Sequence, residues 1–231
     1  MSKRFEAVVT SVDRTKRYAV PEAVAIVKKC ATAKFDETVE LTVRLGIDPK
    51  QSDQAVRTAA VLPHGSGTTR KVLVLAKGEK EKEAQAAGAD YVGAEDLIEK
   101  ISKGWLDFDV VIATPDLMRA ASPLGKVLGP RGLMPNPKSG TVTMDVGRIV
   151  KESKAGRLEL RNDSYGIIHA AVGKASFPAE HLVANAGAVM EVLMRMRPPA
   201  AKGAYVRRVF LSSTMGPGVE VDANAFAPQE V

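Results

Sequence analysis

The apolar residues of this chain follow two rhythms, and the change between them limits what it can fold into. At its centre stand KVLVLA (71–76) and DVVIATPD (109–116), short unbroken apolar runs suited to strands buried on both faces. Towards the ends the rhythm has a period of two. In FDETVELTVRLG (35–46), Phe35, Glu37, Val39, Leu41 and Val43 share one side, while Asp36, Thr38, Glu40, Thr42 and Arg44 share the other. That alternation predicts a strand of an antiparallel sheet with one buried and one polar face.

Helical stretches separate the central runs. KEKEAQAAGA reads as a helix stopped at Gly88, DYVG as a short strand, EDLIEKIS as a helix, and DLMRAASPLGKVLG as the start of another. Strand–helix alternation at this spacing is the pattern of a parallel α/β sheet, placed here at 67–156. Beyond it, RLELRND (157–163) and GIIHAAVG (166–173) read as a hairpin around Ser164-Tyr165-Gly166. PAEHLVANAGAVMEVLMRMR (178–197) is an amphipathic helix with a stripe of Leu182, Ala186, Val189, Leu193 and Met196, and YVRRVFLSST (205–214) reads as the last strand.

Neither end alone has enough strands for a stable sheet. The simplest arrangement joins them. It gives a discontinuous two-layer α+β domain of split β-α-β kind from 1–66 and 157–231, with a three-layer, Rossmann-like α/β domain inserted at 67–156. The two crossings, Pro63 to Gly67 and Lys154 to Gly156, predict a hinge using Gly65, Gly67 and Gly156.

Few chemistries fit. The single cysteine, Cys30, shares a helical face with Ala23, Ile26 and Val27, so it is expected in the core, and no disulfide framework or multi-thiolate metal site is available. His64, His169 and His181 lack ligand spacing, so no metal is expected. HGSGTTRK (64–71) precedes a buried strand instead of following one and lacks the G-x-x-x-x-G-K-[ST] order, so it reads as a hinge and not a phosphate loop. No glycine-rich turn follows KVLVLA, and no cofactor is expected. The rival reading is an enzyme with a nucleotide or sugar-phosphate site at the ends of the central strands, near Asp116. No run approaches the ~18 apolar residues of a membrane span, and a cytosolic protein without membrane contact is expected.

A net charge of +6 and a pI near 9.4 favour an anionic partner. With 5% aromatic residues, binding through many stacked bases is disfavoured. Basic residues gather at the N-terminus, where Lys3, Arg4, Arg14, Lys16 and Arg17 face only Glu6 and Asp13. LGPRGLMPNPKSGT (128–141) sets Arg131 and Lys138 in a loop stiffened by prolines, with Leu133 and Met134 expected to pack inward. It is either a preformed anion contact or a lid on the α/β sheet. LSSTMGPG (211–218) ends the last strand in hydroxyls and a glycine that admits close approach. By residue type alone it reads first as an ordinary strand-ending turn.

Six blocks carry a resemblance to a known family: TAKFDETVEL (32–41), VLPHGSG (61–67), AKGEKEKEAQAAGADYVG (76–93), GWLDFDVVIATPD (104–116), LGPRGLMPNPKSGTV (128–142) and LSSTMGPG. The sequence closely resembles the bacterial large-subunit (50S) ribosomal protein L1 family. The resemblance implies a non-enzymatic, two-domain constituent of the large subunit that binds 23S rRNA at the mobile stalk next to the tRNA exit site. It also implies transient contact with exit-site tRNA during release of deacylated tRNA, repression of its own operon mRNA, and a monomer when free. The family's RNA surface falls here on Lys34, Phe35, Thr38, Glu40, Thr214, Met215 and Gly216, with His169 as a further candidate. Arg208 stands where relatives often carry a small hydroxyl residue, exchanging a hydrogen bond for a phosphate contact. Lys3, Arg4, Arg131 and Lys138 are expected as secondary RNA contacts. On the strand's alternation Phe35 falls on the apolar side, so its contact would come from the edge.

Overall fold

The computed structural model describes residues 3–51, 53–201 and 203–226. The chain divides into two compact units, Met1–Gly67 with Leu158–Val231, and Thr68–Arg157.

The first unit starts with α1 (Lys3–Val9), α2 (Val20–Cys30), β1 (Thr38–Leu45) and β2 (Arg57–Val61). The second follows with β3 (Val72–Leu75), α3 (Glu79–Ala86), β4 (Tyr91–Gly93) and α4 (Glu95–Ser102). It continues through β5 (Val110–Ala113), α5 (Pro115–Ala121), α6 (Gly125–Leu128) and α7 (Val146–Ala155). The chain then returns through β6 (Arg157–Arg161), β7 (Ile167–Lys174), α8 (Ala179–Arg195), β8 (Val206–Ser213) and β9 (Val219–Val221).

The inserted unit is a three-layer α/β sandwich. Its parallel sheet has the order β4-β3-β5. Every side chain of β3 is buried, Leu73 and Leu75 among α4, α5 and α6, and Val72 and Val74 among α3 and α7. That explains the unbroken apolar run, because both faces of this sheet need cover.

The discontinuous unit is a two-layer α+β fold. Its antiparallel sheet has the order β7-β1-β8-β9, with β1 inserted between the two strands that α8 connects. The helices α2 and α8 pack on one face, and Val39, Leu41, Val43, Val209 and Leu211 point into the core they enclose. Cys30 lies in that core.

Several details depart from the sequence reading. β6 does not form a hairpin ladder with β7; it pairs with β2 in a separate two-stranded sheet, leaving one bridge between Asn162 and Ile168. Asn162 extends that pairing beyond β6: its Oδ1 accepts from Val56 N at 2.8 Å, and its N donates to Val56 O at 3.2 Å. Met196 is not part of the core stripe. It is the residue that ends α8 after Arg195, and it is exposed. The helix α1 and the short strand β9, which extends the sheet after the Gly-Pro-Gly break, carry patterns too short to read.

At the two crossings Gly65, Gly67 and Gly156 have φ of 68°, 73° and 116°. Gly156 is the left-handed residue ending α7, a conformation costly to residues with a Cβ.

Candidate nucleic-acid interface

The face of the β7-β1-β8-β9 sheet away from α2 and α8 is built by strand alternation. The register sets out its rows: Lys174 beside Thr38, then Ala171, Glu40 and Ser212, then His169, Thr42 and Phe210, then Ile167, Arg44 and Arg208. All are exposed or half-buried. Apart from Phe210, Ile167 and Ala171, the face offers hydroxyls, charges and an imidazole.

One end of this face is held by a buried carboxylate. Glu37 is 1% exposed, and its two oxygens accept from Ala33 N and Met215 N, both at 2.9 Å. Burial pushes its carboxyl up, but the two N–H groups, the neighbouring Ser213 hydroxyl and the charge of Arg4 outweigh that, holding its pKa below the ordinary glutamate value. Glu37 thereby ties the segment before β1 to the turn after β8, although those segments lie far apart in sequence.

Further bonds fix the same junction. Thr214 Oγ1 accepts from Thr38 N at 2.9 Å and donates to Thr38 O at 3.3 Å. Lys174 Nζ donates to Thr38 Oγ1 at 2.9 Å. Arg4 spans Thr32 Oγ1 at 3.1 Å and Met215 O at 3.2 Å. A Cβ placed on Gly216 would come 2.5 Å from Ser213 Oγ, so any larger residue there would have to displace the Ser213 side chain. Asp36 accepts from the Ser176 N and Oγ at 3.1 and 2.7 Å, joining β7's end to the same corner.

This framework presents Phe35 and Met215 to solvent, 55% and 49% exposed. Phe35 therefore does not lie on the apolar side. The strand begins only at Thr38, and the inward position before it is taken by Glu37. The side chains of Lys34 and Glu40 are exposed and form no ion pair or hydrogen bond among the described residues. His169 lies 3.4 Å from Thr42 Oγ1 and 4.0 Å from Asp163 Oδ2. Arg208 is exposed, with Glu220 at 4.0 Å. Beside the turn is an open cavity of about 420 Å³ between Phe5, Arg14, Arg208, Phe210 and Gly216.

The fold thus gathers Lys34, Phe35, Thr38, Glu40, His169, Arg208, Thr214, Met215 and Gly216 on one sheet face and its end, with Lys3 on α1, whose next residue, Arg4, reaches the turn. Arg131 and Lys138 belong to the other unit, both exposed. Their loop is internally bonded: Asn136 Oδ1 accepts from Lys138 N and Thr141 Oγ1 from Asn136 N, both at 2.8 Å, and Ser139 O accepts from Arg157 Nη2 at 2.8 Å. Leu133 and Met134 pack on the core beneath.

The sequence reading missed Glu37, Lys174 and Ser176 as supports. Glu37 did leave a signal, a carboxylate on the apolar side of an otherwise clean alternation. His64 and His181, distant in sequence, stack with ring centroids 3.9 Å apart. Among the described residues, no group of three or more His, Cys, Asp or Glu side chains is placed to hold a metal.

A family model for the ribosomal protein L1p/L10e family matches residues 27–217. The chain belongs to the ribosomal protein L1p/L10e family. The L1 match runs from within α2 to Pro217, so it takes in β1, the whole inserted unit and the Thr214–Gly216 turn. Membership makes this chain a ribosomal protein of the large subunit with a structural role and rRNA binding. No helix among the described residues is long and apolar enough to cross a membrane.

Proposed function

We propose that the bare face of the β7-β1-β8-β9 sheet, with the turn at its end, is the principal rRNA surface, and that its target is the 23S rRNA of the mobile stalk beside the tRNA exit site. The observation that carries this reading is the Glu37 anchor: a buried carboxylate locks Met215 and the start of β1 into one rigid corner before any ligand arrives. A preformed corner loses little entropy on binding. Folded RNA is recognised through shape, 2′-hydroxyls and phosphates. In this reading Thr38, Glu40 and Thr214 meet ribose and backbone, Phe35 and Met215 pack on sugar or base surface above Gly216, and Lys34, His169 and Arg208 meet phosphates.

No bond is made or broken. Lys3, Arg4, Arg131 and Lys138 supply secondary contacts, and the crossings at Gly65, Gly67 and Gly156 let the units follow the RNA as the stalk moves. The same surface serves two finer roles: repression of the protein's own operon mRNA through a similar RNA structure, and, with the stalk, transient contact with exit-site tRNA that assists its release. The protein acts in the cytoplasm, on bacterial ribosomes, and is a monomer when free.

The test is titration of the full chain with a stalk rRNA fragment and a scrambled duplex over a salt series. Preference for the stalk fragment, with a log–log salt slope of about −3 to −5, is expected. Equal affinity for both RNAs would overturn the reading.

A further inference from the structure

The far end of the same sheet face holds a feature that the junction at Thr214 does not explain. Arg44 on β1 stands directly opposite Arg208 on β8. Directly opposed residues of an antiparallel pair lie about 4.5–5.5 Å apart at Cα, and like charges so placed destabilise the sheet. Next to them the ladder slips, from Arg44 opposite Arg208 to Leu45 opposite Val206, so Arg207 has no counterpart. Regular alternation would turn one of two successive residues inward. The bulge instead leaves both Arg207 and Arg208 exposed.

The Arg207 side chain lies over Gly46, where an added Cβ would meet its Nε at 3.2 Å, two residues along from Arg44. The three guanidinium groups have little counter-charge. Glu220 lies 4.0 Å from Arg208 and is shared with Arg17 at 3.5 Å, while Arg44 and Arg207 form no ion pair or side-chain hydrogen bond among the described residues.

We propose that Arg44, Arg207 and Arg208 form a phosphate clamp, a second anchor for the RNA backbone at the opposite end of the face from the Thr214–Gly216 turn. The clamp rests on the reading of this face as the RNA surface, and it adds Arg44 and Arg207 to the contacts. Guanidinium forks match phosphate oxygens in geometry, and a bound phosphate supplies the missing counter-charge. Six residue steps separate Thr38 from Arg44, about 20 Å along the strand, so the two anchors grip different phosphates. Shape recognition at the turn and charge at the clamp then fix the direction in which the RNA crosses the sheet.

The test compares full-length protein with the R44Q/R207Q and R44K/R207K double variants, titrated with the stalk rRNA fragment over a salt series. The glutamine pair should make the log–log slope shallower by about 1.5 to 2 and weaken binding at low salt about tenfold or more. The lysine pair should keep the parent's slope. Without RNA, the glutamine pair should melt no lower than the parent, because a like-charge contact is relieved. A glutamine pair with the parent's slope overturns the clamp, as does an equal loss of slope in the lysine pair. So does a glutamine pair that folds less stably, which would make these arginines structural. Absence of any preference by the parent for the stalk fragment over a scrambled duplex would overturn the reading of the face, and the clamp with it.

Discussion

The β4-β3-β5 sheet is sealed by helices on both faces, whereas the β7-β1-β8-β9 sheet is covered on one face only. In β3 successive side chains feed two different cores; in β1 every second side chain is left to solvent. The contrast shows where binding capacity resides. A sheet sealed twice offers only its strand ends and loops, so that unit's exposed basic loop can add contacts but has no broad surface behind it. A sheet sealed once keeps a row of side chains in fixed register, ready to meet a ligand without rearrangement.

The strongest way to break that comparison is to damage each sheet in turn. Leu75→Ala in the sealed sheet should cost about 2–5 kcal/mol of stability by denaturant titration. Its RNA affinity, measured well below the transition, should stay within about threefold of the parent. A large loss of affinity at a temperature where that variant is folded would move the binding surface into the inserted unit.

Glu37→Ala attacks the open sheet's anchor. It removes two charge-assisted bonds and leaves Met215 N and Ala33 N without their acceptor, so about 2–3 kcal/mol of stability should be lost, together with RNA affinity. Its pH dependence has a definite sign. Because the folded carboxyl is held below the ordinary glutamate value, the stabilisation is present above the unfolded value near 4.5 and disappears as pH falls through the folded one. Glu37→Gln should therefore flatten the acid limb of the stability profile, and an unchanged acid limb would remove Glu37 from the anchor.

Met215→Ala separates binding from folding more cleanly. The side chain is half exposed, so stability should change by less than about 0.5 kcal/mol, while RNA affinity falls about tenfold. The smallest effect is expected for Lys126→Ala, an exposed lysine of the inserted unit, which should lighten the salt slope by about 1 at most. If Lys126→Ala weakens binding more than Met215→Ala, charge outranks shape and the comparison between the sheets is reversed.

What the sequence made legible follows from which signals are local. The alternation over Val39, Leu41 and Val43 identified the open strand, and the runs at 72–75 and 110–113 identified strands sealed on both faces, because face patterning is written residue by residue. Pairing is not. That β6 joins β2 and not β7 shows only in contacts such as Asn162 with Val56, across more than a hundred residues. The bulge at Arg207 is equally silent, since two adjacent arginines read as a lapse of alternation until their register against Arg44 is known. Phe35 was misplaced by extending the alternation three residues too far. The hydroxyls and glycine of the Thr-Met-Gly turn drew notice from residue type, but only resemblance assigned them to RNA, because those types suit any strand-ending loop.

The most direct test of the bare face is hydroxyl-radical footprinting of the full chain, read by mass spectrometry, with and without the stalk rRNA fragment. Four exposed, reactive side chains divide the molecule: Phe35 and Met215 at the end of the open sheet, Met196 at the end of α8, and Met144 in the inserted unit, all between 44% and 55% exposed. RNA should protect Phe35 and Met215 together and leave Met196 and Met144 as reactive as before. Protection of Met144 with Phe35 and Met215 unchanged would contradict the account and put the RNA on the sealed sheet's unit.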